Sequence, residues 1–285
     1  MPAAESGREP PPRREDTPED TAGDDRARYL RHLVIPEIGP AGQRALGRAS
    51  VLVVGAGGLG SPCLFYLAAA GVGRLGVVDH DVVEVSNLQR QIIHSTADIG
   101  RPKTVSAAAK LRALNPGVEV VEHQLSFGPQ TAADLMAGYD VVVTAVDNLP
   151  TRFFLNDACV LCGVTLVEAA ILRFVGLATT IRGGETACYR CLFPELPAGG
   201  SVPSPAEAGV FGPVAGVMGC IQAAEVIKVI VGAGRPLYDR LLQFDALEMT
   251  FEEVAVQRDP ACPVCGEAPR ITDLATSAGG LGLTP

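Results

Sequence analysis

The chain has 285 residues, 47% of them hydrophobic, with 23 Lys and Arg against 32 Asp and Glu and a formal net charge of -9. That length suits one large domain or two small ones with a sizeable core, and the acidic balance argues against nucleic acid as a general partner. The start "MPAAESGREPPPRREDTPED" has no apolar signal core, and no apolar run is expected to reach the ~18 residues of a membrane span, so a soluble, cytoplasmic protein is expected.

Residues 1–25 are rich in Pro, Arg, Glu and Asp and are expected to form a disordered tail. "VLVVG" (51–55) predicts a buried strand, followed by an apolar helix to about Ala70. "RLGVVD" (74–79) predicts the next strand, "PKTVSAAAKLRALNP" (102–116) a helix and "VEVVEHQL" (118–125) a strand. A short helix over 131–138, a strand over 140–147, a helix over 151–163 and a strand over 164–170 continue the alternation. Strands alternating with helices predict an α/β fold, a doubly wound, mostly parallel Rossmann-like sheet. "FVGLATTI" and "LLQFDALEMTFEEVAV" predict antiparallel strands around a helix over 214–232, which extend the sheet. The Gly-rich stretch 267–285 is expected to be a flexible tail.

"GAGGLG" supplies Gly55, Gly57 and Gly60 in the G-x-G-x-x-G spacing, with Gly58 between them. The first glycine permits a tight turn, the second admits phosphate to the backbone, and the third lets helix pack on strand. The free N–H groups of the helix start favour an anion there. Asp79 lies 24 residues after Gly55, near the position of a ribose-binding acid about 20 residues on. The bland alternative is a structural glycine turn, and the motif alone does not separate NAD from ATP.

The following segment carries Asn87, Arg90 and Gln91, and Lys103 opens the next helix. A pocket that breaks a triphosphate must neutralise moving charge, which hydride transfer does not require. Arg90 and Lys103 suit that task, although each, standing alone, reads more readily as a solvated surface charge. Asp147, in "TAVDNLPTR", falls at the carboxyl end of a predicted strand, where it is either a Mg2+ anchor or the N-cap of the next helix.

Cys188-x-x-Cys191 and Cys262-x-x-Cys265 form two knuckle-like pairs, and four thiolates make a closed structural zinc site. A redox role or plain surface thiols are the alternatives. Cys159, Cys162, Cys63 and Cys220 sit in apolar helical stretches and are expected in the core. His32, His80, His94 and His123 show no paired spacing and are expected to be structural.

Together the segments "RYLRHLVIPEIGPAGQRAL", "VLVVGAGGLGSP", "DHDVVEVSNLQRQ", "GRPK", "TAVDN", "ACYRCLFP", "AGVFGPVAGVMGCIQAAEVIK" and "CPVCG" resemble the ThiF/MoeB/HesA family of ubiquitin-activating-type adenylyltransferases. The resemblance treats 26–266 as one adenylyltransferase domain. It implies ATP and Mg2+, beside the Zn2+ read from the cysteine pairs, a homodimer, and a ubiquitin-like sulfur-carrier protein ending in Gly-Gly as substrate. The carrier carboxylate would attack the α-phosphate, release pyrophosphate and become an acyl adenylate ready for thiocarboxylate formation. By motif position, Asp79 is implied as ribose ligand. Asn87, Arg90, Gln91 and Lys103 are implied at the ATP site, Asp147 at Mg2+, and Arg31 as an arginine crossing from the partner subunit to the triphosphate. A carboxylate nucleophile is ionised at pH 7, so no general base is required.

One position departs from the family pattern. Three residues before Ala208, where the family often carries a cysteine for thioester or persulfide chemistry, stands Pro205. No rhodanese-like segment follows Gly266, so a separate sulfur-donor protein is expected. The rival readings are an NAD(P)-dependent oxidoreductase, a non-catalytic zinc-stabilised scaffold, and a related enzyme that adenylates a peptide or another carboxylate.

Overall fold

The computed structural model describes residues 23–197 and 205–283. The N-terminal part of the chain contributes α1 (Gly23–Arg28), α2 (Leu30–Leu33), α3 (Gly39–Arg48), β1 (Ser50–Val54), α4 (Gly60–Ala70), β2 (Arg74–Val78), α5 (Lys103–Leu114) and β3 (Glu119–His123). Then come α6 (Ala132–Met136), β4 (Val141–Thr144), α7 (Leu149–Cys162), β5 (Thr165–Leu172), β6 (Val175–Arg182) and α8 (Tyr189–Leu192). The rest is α9 (Pro205–Ala208), α10 (Gly212–Val231), β7 (Arg240–Asp245), β8 (Thr250–Ala255) and α11 (Leu274–Gly280). The expected disordered tail falls largely outside the described residues, and its last three positions, 23–25, belong to α1.

All eight strands join one sheet in the order β3-β2-β1-β4-β5-β6-β7-β8. From β3 to β5 the neighbours run parallel, and β6, β7 and β8 are added antiparallel. This is the doubly wound α/β sheet with the antiparallel extension that the pattern predicts. Helices cover both faces of the central strands, which is why Val51–Val54 of β1 and Val141–Val143 of β4 are apolar and buried without alternation. Leu46, Leu64, Leu67, Leu111 and Met218 fill one core, under α3, α4, α5 and α10. Phe153, Phe154, Leu155 and Met136 fill the other, together with Cys188, Cys262 and Cys265.

Three expectations need correction. The 20-residue α10 is long and apolar enough, by length and composition alone, to cross a membrane, where no such run was expected. It packs on α3, α4, β5 and β6 as a core helix. Its buried Glu225 accepts hydrogen bonds from Thr180 Oγ1 and Leu237 N, both at 2.6 Å. The second correction is Cys162, which is exposed, because burial falls away over the last turn of α7. Cys63 and Cys159 are core residues and Cys220 is half-buried.

The third concerns the segment after Gly266, where a loose tail was expected. Instead α11 forms with Asp273 as N-cap, accepting from Thr276 N, and packs on α7. A polar clasp explains its order. The Asp157 carboxylate, 0% exposed, takes Arg190 Nε and Nη2 at 2.7 Å each and Ser277 Oγ at 2.7 Å. One buried carboxylate thus joins α7, α8 and α11. Asp157→Ala would strand the Arg190 charge in the interior, so about 3–5 kcal/mol of unfolding free energy should be lost. Urea denaturation checks this, and a loss no larger than that of a surface substitution would show the clasp to be idle.

Candidate active site

Strand order reverses between β1 and β4. In doubly wound sheets, ligands sit outside the strand carboxyl ends at such a switch. The connections that leave β1, β2 and β4 on this edge carry most of the residues singled out above.

After β1 the backbone turns at Gly55 with φ +106. A Cβ on Gly55 would lie 2.4 Å from the Ala145 carbonyl oxygen, and one on Gly60 would lie 2.0 Å from the Gly55 oxygen. Both positions therefore exclude any side chain. The turn is pressed against the exit of β4 and against its own helix, so the N-terminus of α4 opens directly on the crevice.

Asp79 follows β2 and shapes this turn. Its Oδ2 accepts from Ala56 N at 2.9 Å, and its Oδ1 from Asp81 N at 2.9 Å. Lys103, at the start of α5, is 6% exposed. Its Nζ donates to Asp81 Oδ2 at 2.8 Å and stands 4.0 Å from Asp79 Oδ2. Partial burial works against the Asp81 carboxylate, yet the hydrogen bond and charge of Lys103 hold it below its ordinary range. Asp81, Val82, Glu84, Asn87 and Lys103 line a polar cleft of about 160 Å3. Asn87 is buried, and its Oδ1 accepts from Glu84 N at 3.1 Å.

Arg90 and Gln91 roof the turn. A Cβ on Gly58 would meet Arg90 Cγ at 3.6 Å, and one on Gly57 would meet Gln91 Nε2 at 3.6 Å. Arg90 Nη1 donates to Ser86 O at 3.0 Å. Gln91 is 5% exposed, and among the described residues its buried Oε1 has no partner. An orphaned acceptor beside a phosphate-type turn fits a site made to receive a polar ligand.

Asp147 is exposed on the loop three residues past the end of β4. It is not the N-cap of α7, because Asn148 holds that position and accepts from Thr151 N. Its carboxylate is thus left to face solvent at the switch point. The loop is fixed from below by Arg152, a residue the sequence reading did not assign. Arg152 donates to Val146 O at 2.8 Å and to Ala169 O at 2.9 Å, and it pairs with the Glu168 carboxylate. Burial pushes Glu168 above the usual carboxylate range, and Arg152 opposes the shift. The available signal was an arginine inside the apolar helix "RFFLNDACVLC".

Arg31 does not reach this crevice within the chain. It is exposed on α2, which follows Tyr29, and Tyr29 packs on Gly71 at the far end of α4. The 11-residue α4 separates the two ends by about 16 Å.

The four knuckle cysteines do converge. Cys188 Sγ is 3.9 Å from Cys191 Sγ and 3.6 Å from Cys262 Sγ, and Cys191 Sγ is 3.4 Å from Cys265 Sγ. A tetrahedron with metal–sulfur bonds of about 2.3 Å has edges of about 3.8 Å. The donor set and its size therefore fit one zinc ion. Asp259 N donates to Cys191 Sγ at 3.4 Å, and Arg258 to Cys265 O, which orient the second knuckle.

One residue beneath the turn, expected only to be structural, also bears on the site. His94 is buried, with Nε2 2.9 Å from Ala56 O and Nδ1 2.9 Å from Ser106 Oγ. Its sequence carries no spacing signal, because both partners lie outside its own segment.

Comparison with known proteins agrees with this architecture. The ThiF family matches residues 29–264. Over 261 residues the chain is 50% identical to the sulfur carrier protein adenylyltransferase of Thermus thermophilus, covering 90% of this chain and 96% of that one. It is 51% identical over 260 residues to the adenylyltransferase and sulfurtransferase MOCS3 of Sus scrofa, covering 91% of this chain but 57% of that longer one. Among solved structures, E. coli MccB in "MccB + MccA-N7isoASN" superposes with a TM-score of 0.75 at 26% identity, over 85% of this chain and 74% of that one. With a family match over residues 29–264 and half of its residues identical to a relative aligned over nearly the whole of both chains, the chain belongs to the ThiF family.

Proposed function

We propose that this protein is a nucleotidyltransferase that adenylates the C-terminal Gly-Gly carboxylate of a ubiquitin-like sulfur-carrier protein, with ATP as co-substrate. The observation that carries the reading is the glycine turn closed against β4 and ringed by Asp79, Arg90, Gln91 and Lys103. Similarity to proteins named as adenylyltransferases of sulfur carriers supports the same chemistry.

In this reading the Gly57 and Gly58 backbone and the start of α4 receive phosphate, and Asp79 receives the ribose. Arg90 and Lys103 compensate charge that moves onto the leaving pyrophosphate. Asp147 would hold Mg2+, which supplies further charge neutralisation at the phosphates. The carrier carboxylate forms the bond to the α-phosphorus as the bond to pyrophosphate breaks. No base is needed, so the work of the site is alignment and electrostatics. Position 205 is proline and offers no nucleophile, so sulfur from a separate donor protein forms the bond to the acyl carbon directly, as the bond to AMP breaks and AMP leaves. The protein works in the cytoplasm as a homodimer, and zinc at Cys188, Cys191, Cys262 and Cys265 is structural.

Asp147→Ala should lower carrier-dependent ATP–pyrophosphate exchange by about a hundred- to a thousand-fold at unchanged melting temperature. Near-normal exchange would remove Asp147 from the chemistry. Elemental analysis should find about one zinc per chain, lost together with thermal stability in the Cys262→Ala, Cys265→Ala double variant. Full stability of a metal-free preparation would refute that assignment. Arg31 should act in trans. A mixture of Arg31→Ala and Asp147→Ala chains, each inactive alone, leaves one intact site in every heterodimer. Statistical exchange should then restore about a quarter of wild-type activity, and no recovery after verified exchange would place Arg31 elsewhere.

A further inference from the structure

The glycine turn has almost no side chains with which to hold its own shape. Glycine backbone is conformationally free, and ordering it at the moment of binding weakens affinity. The shape must therefore be imposed from outside, and the contacts around Ala56 do this. Ala56 N–H is held by Asp79 Oδ2 at 2.9 Å, and Ala56 C=O lies 2.9 Å from His94 Nε2.

A carbonyl oxygen only accepts, so Nε2 carries the ring proton. The bare Nδ1 then accepts from Ser106 Oγ–H at 2.9 Å. Ser106 Oγ in turn accepts from Lys110 Nζ at 3.1 Å, and Lys110 pairs with the buried Asp98 carboxylate. Asp98 also receives Ser95 and Arg101. Burial lowers the His94 pKa, and nearby Lys103 and Lys110 lower it further, against the Ala56 carbonyl and Asp79. The neutral ring that this wiring requires is thus the form present at neutral pH.

A trans peptide points its C=O and the following N–H in opposite directions. Fixing Ala56 C=O onto His94 therefore aims Gly57 N–H away from the ring. Among the described residues that N–H has no acceptor. A flip of the same peptide would present an oxygen where an anion is to bind.

We propose that His94 is a positioning residue for the nucleotide: through Ala56 C=O it locks the peptide that directs Gly57 N–H toward phosphate, and Ser106 and Lys110 hold the ring in the tautomer this needs. The inference rests on the glycine turn being a phosphate site. ATP binding to the full chain, without carrier, is measured by calorimetry well below each variant's melting midpoint. Failure of the unaltered protein to bind ATP would refute the nucleotide site itself, and this proposal with it. Given binding, His94→Leu should raise the Kd for ATP by about five- to 150-fold, the range for leaving a buried acceptor unpaired. His94→Gln, which returns an N–H near the Nε2 position, should stay within about threefold of the parent. Ser106→Ala, whose ring loses only its tautomer lock, should weaken ATP by about two- to fivefold, and it serves alone if His94→Leu does not fold. Parental affinity in a folded His94→Leu or in Ser106→Ala, or equal weakening in His94→Gln and His94→Leu, would reduce His94 to a core residue.

Discussion

The site depends on one close backbone approach. At the switch between β1 and β4, Gly55 lies so near the Ala145 carbonyl that a Cβ would sit 2.4 Å from its oxygen. That contact places the β1 turn against the loop that carries Asp147. It also opens the start of α4 between them. Interiors are packed to crystal-like density, so neither segment can retreat to admit a side chain. The helices and the antiparallel extension hold the sheet that keeps these two backbones in register.

Charge is arranged around that contact in a way the overall balance hides. The chain is acidic, with a formal net charge of -9. Yet the crevice combines Arg90 and Lys103 with the start of a helix, while its carboxylates are tied to donors. Asp79 is bound to two backbone N–H groups and Asp81 to Lys103. Asp147 stands apart, exposed and outside the cap of α7. Such a site can receive a polyanion without first breaking an ion pair of its own at Asp147. Its polar groups are also positioned before any ligand arrives, which is where electrostatic stabilisation is most effective.

The second core supports the same loop from the opposite face. Arg152 ties the Asp147 loop to β5, and further along the same helix Asp157 ties α7 to α8 and α11. The four thiols then join α8 to the segment before α11. The C-terminal part of the chain is thus a brace on α7, the helix whose start carries the loop. Buried pairs of this kind matter through the cost of leaving one partner alone more than through their net attraction.

Much of this was legible in the sequence because its determinants are contiguous. A strand, a glycine turn and a helix are encoded within Val51–Ala70 by apolar run length and glycine spacing. The two Cys-x-x-Cys pairs likewise announce their chemistry locally. The parallel direction of the central strands follows from the alternation of strands and helices, whereas their order appears only in the folded sheet. The structure decided that Asn148 and not Asp147 caps α7, a choice between two adjacent residues, and that Cys162 faces outward. That the 267–283 segment folds back and that His94 grips the turn depend on partners remote in the chain, Asp157 for Ser277 and Ala56 for His94. Periodicity and motif spacing report neighbours along the chain, whereas hydrogen-bond partners across a sheet are set only once the strands have packed.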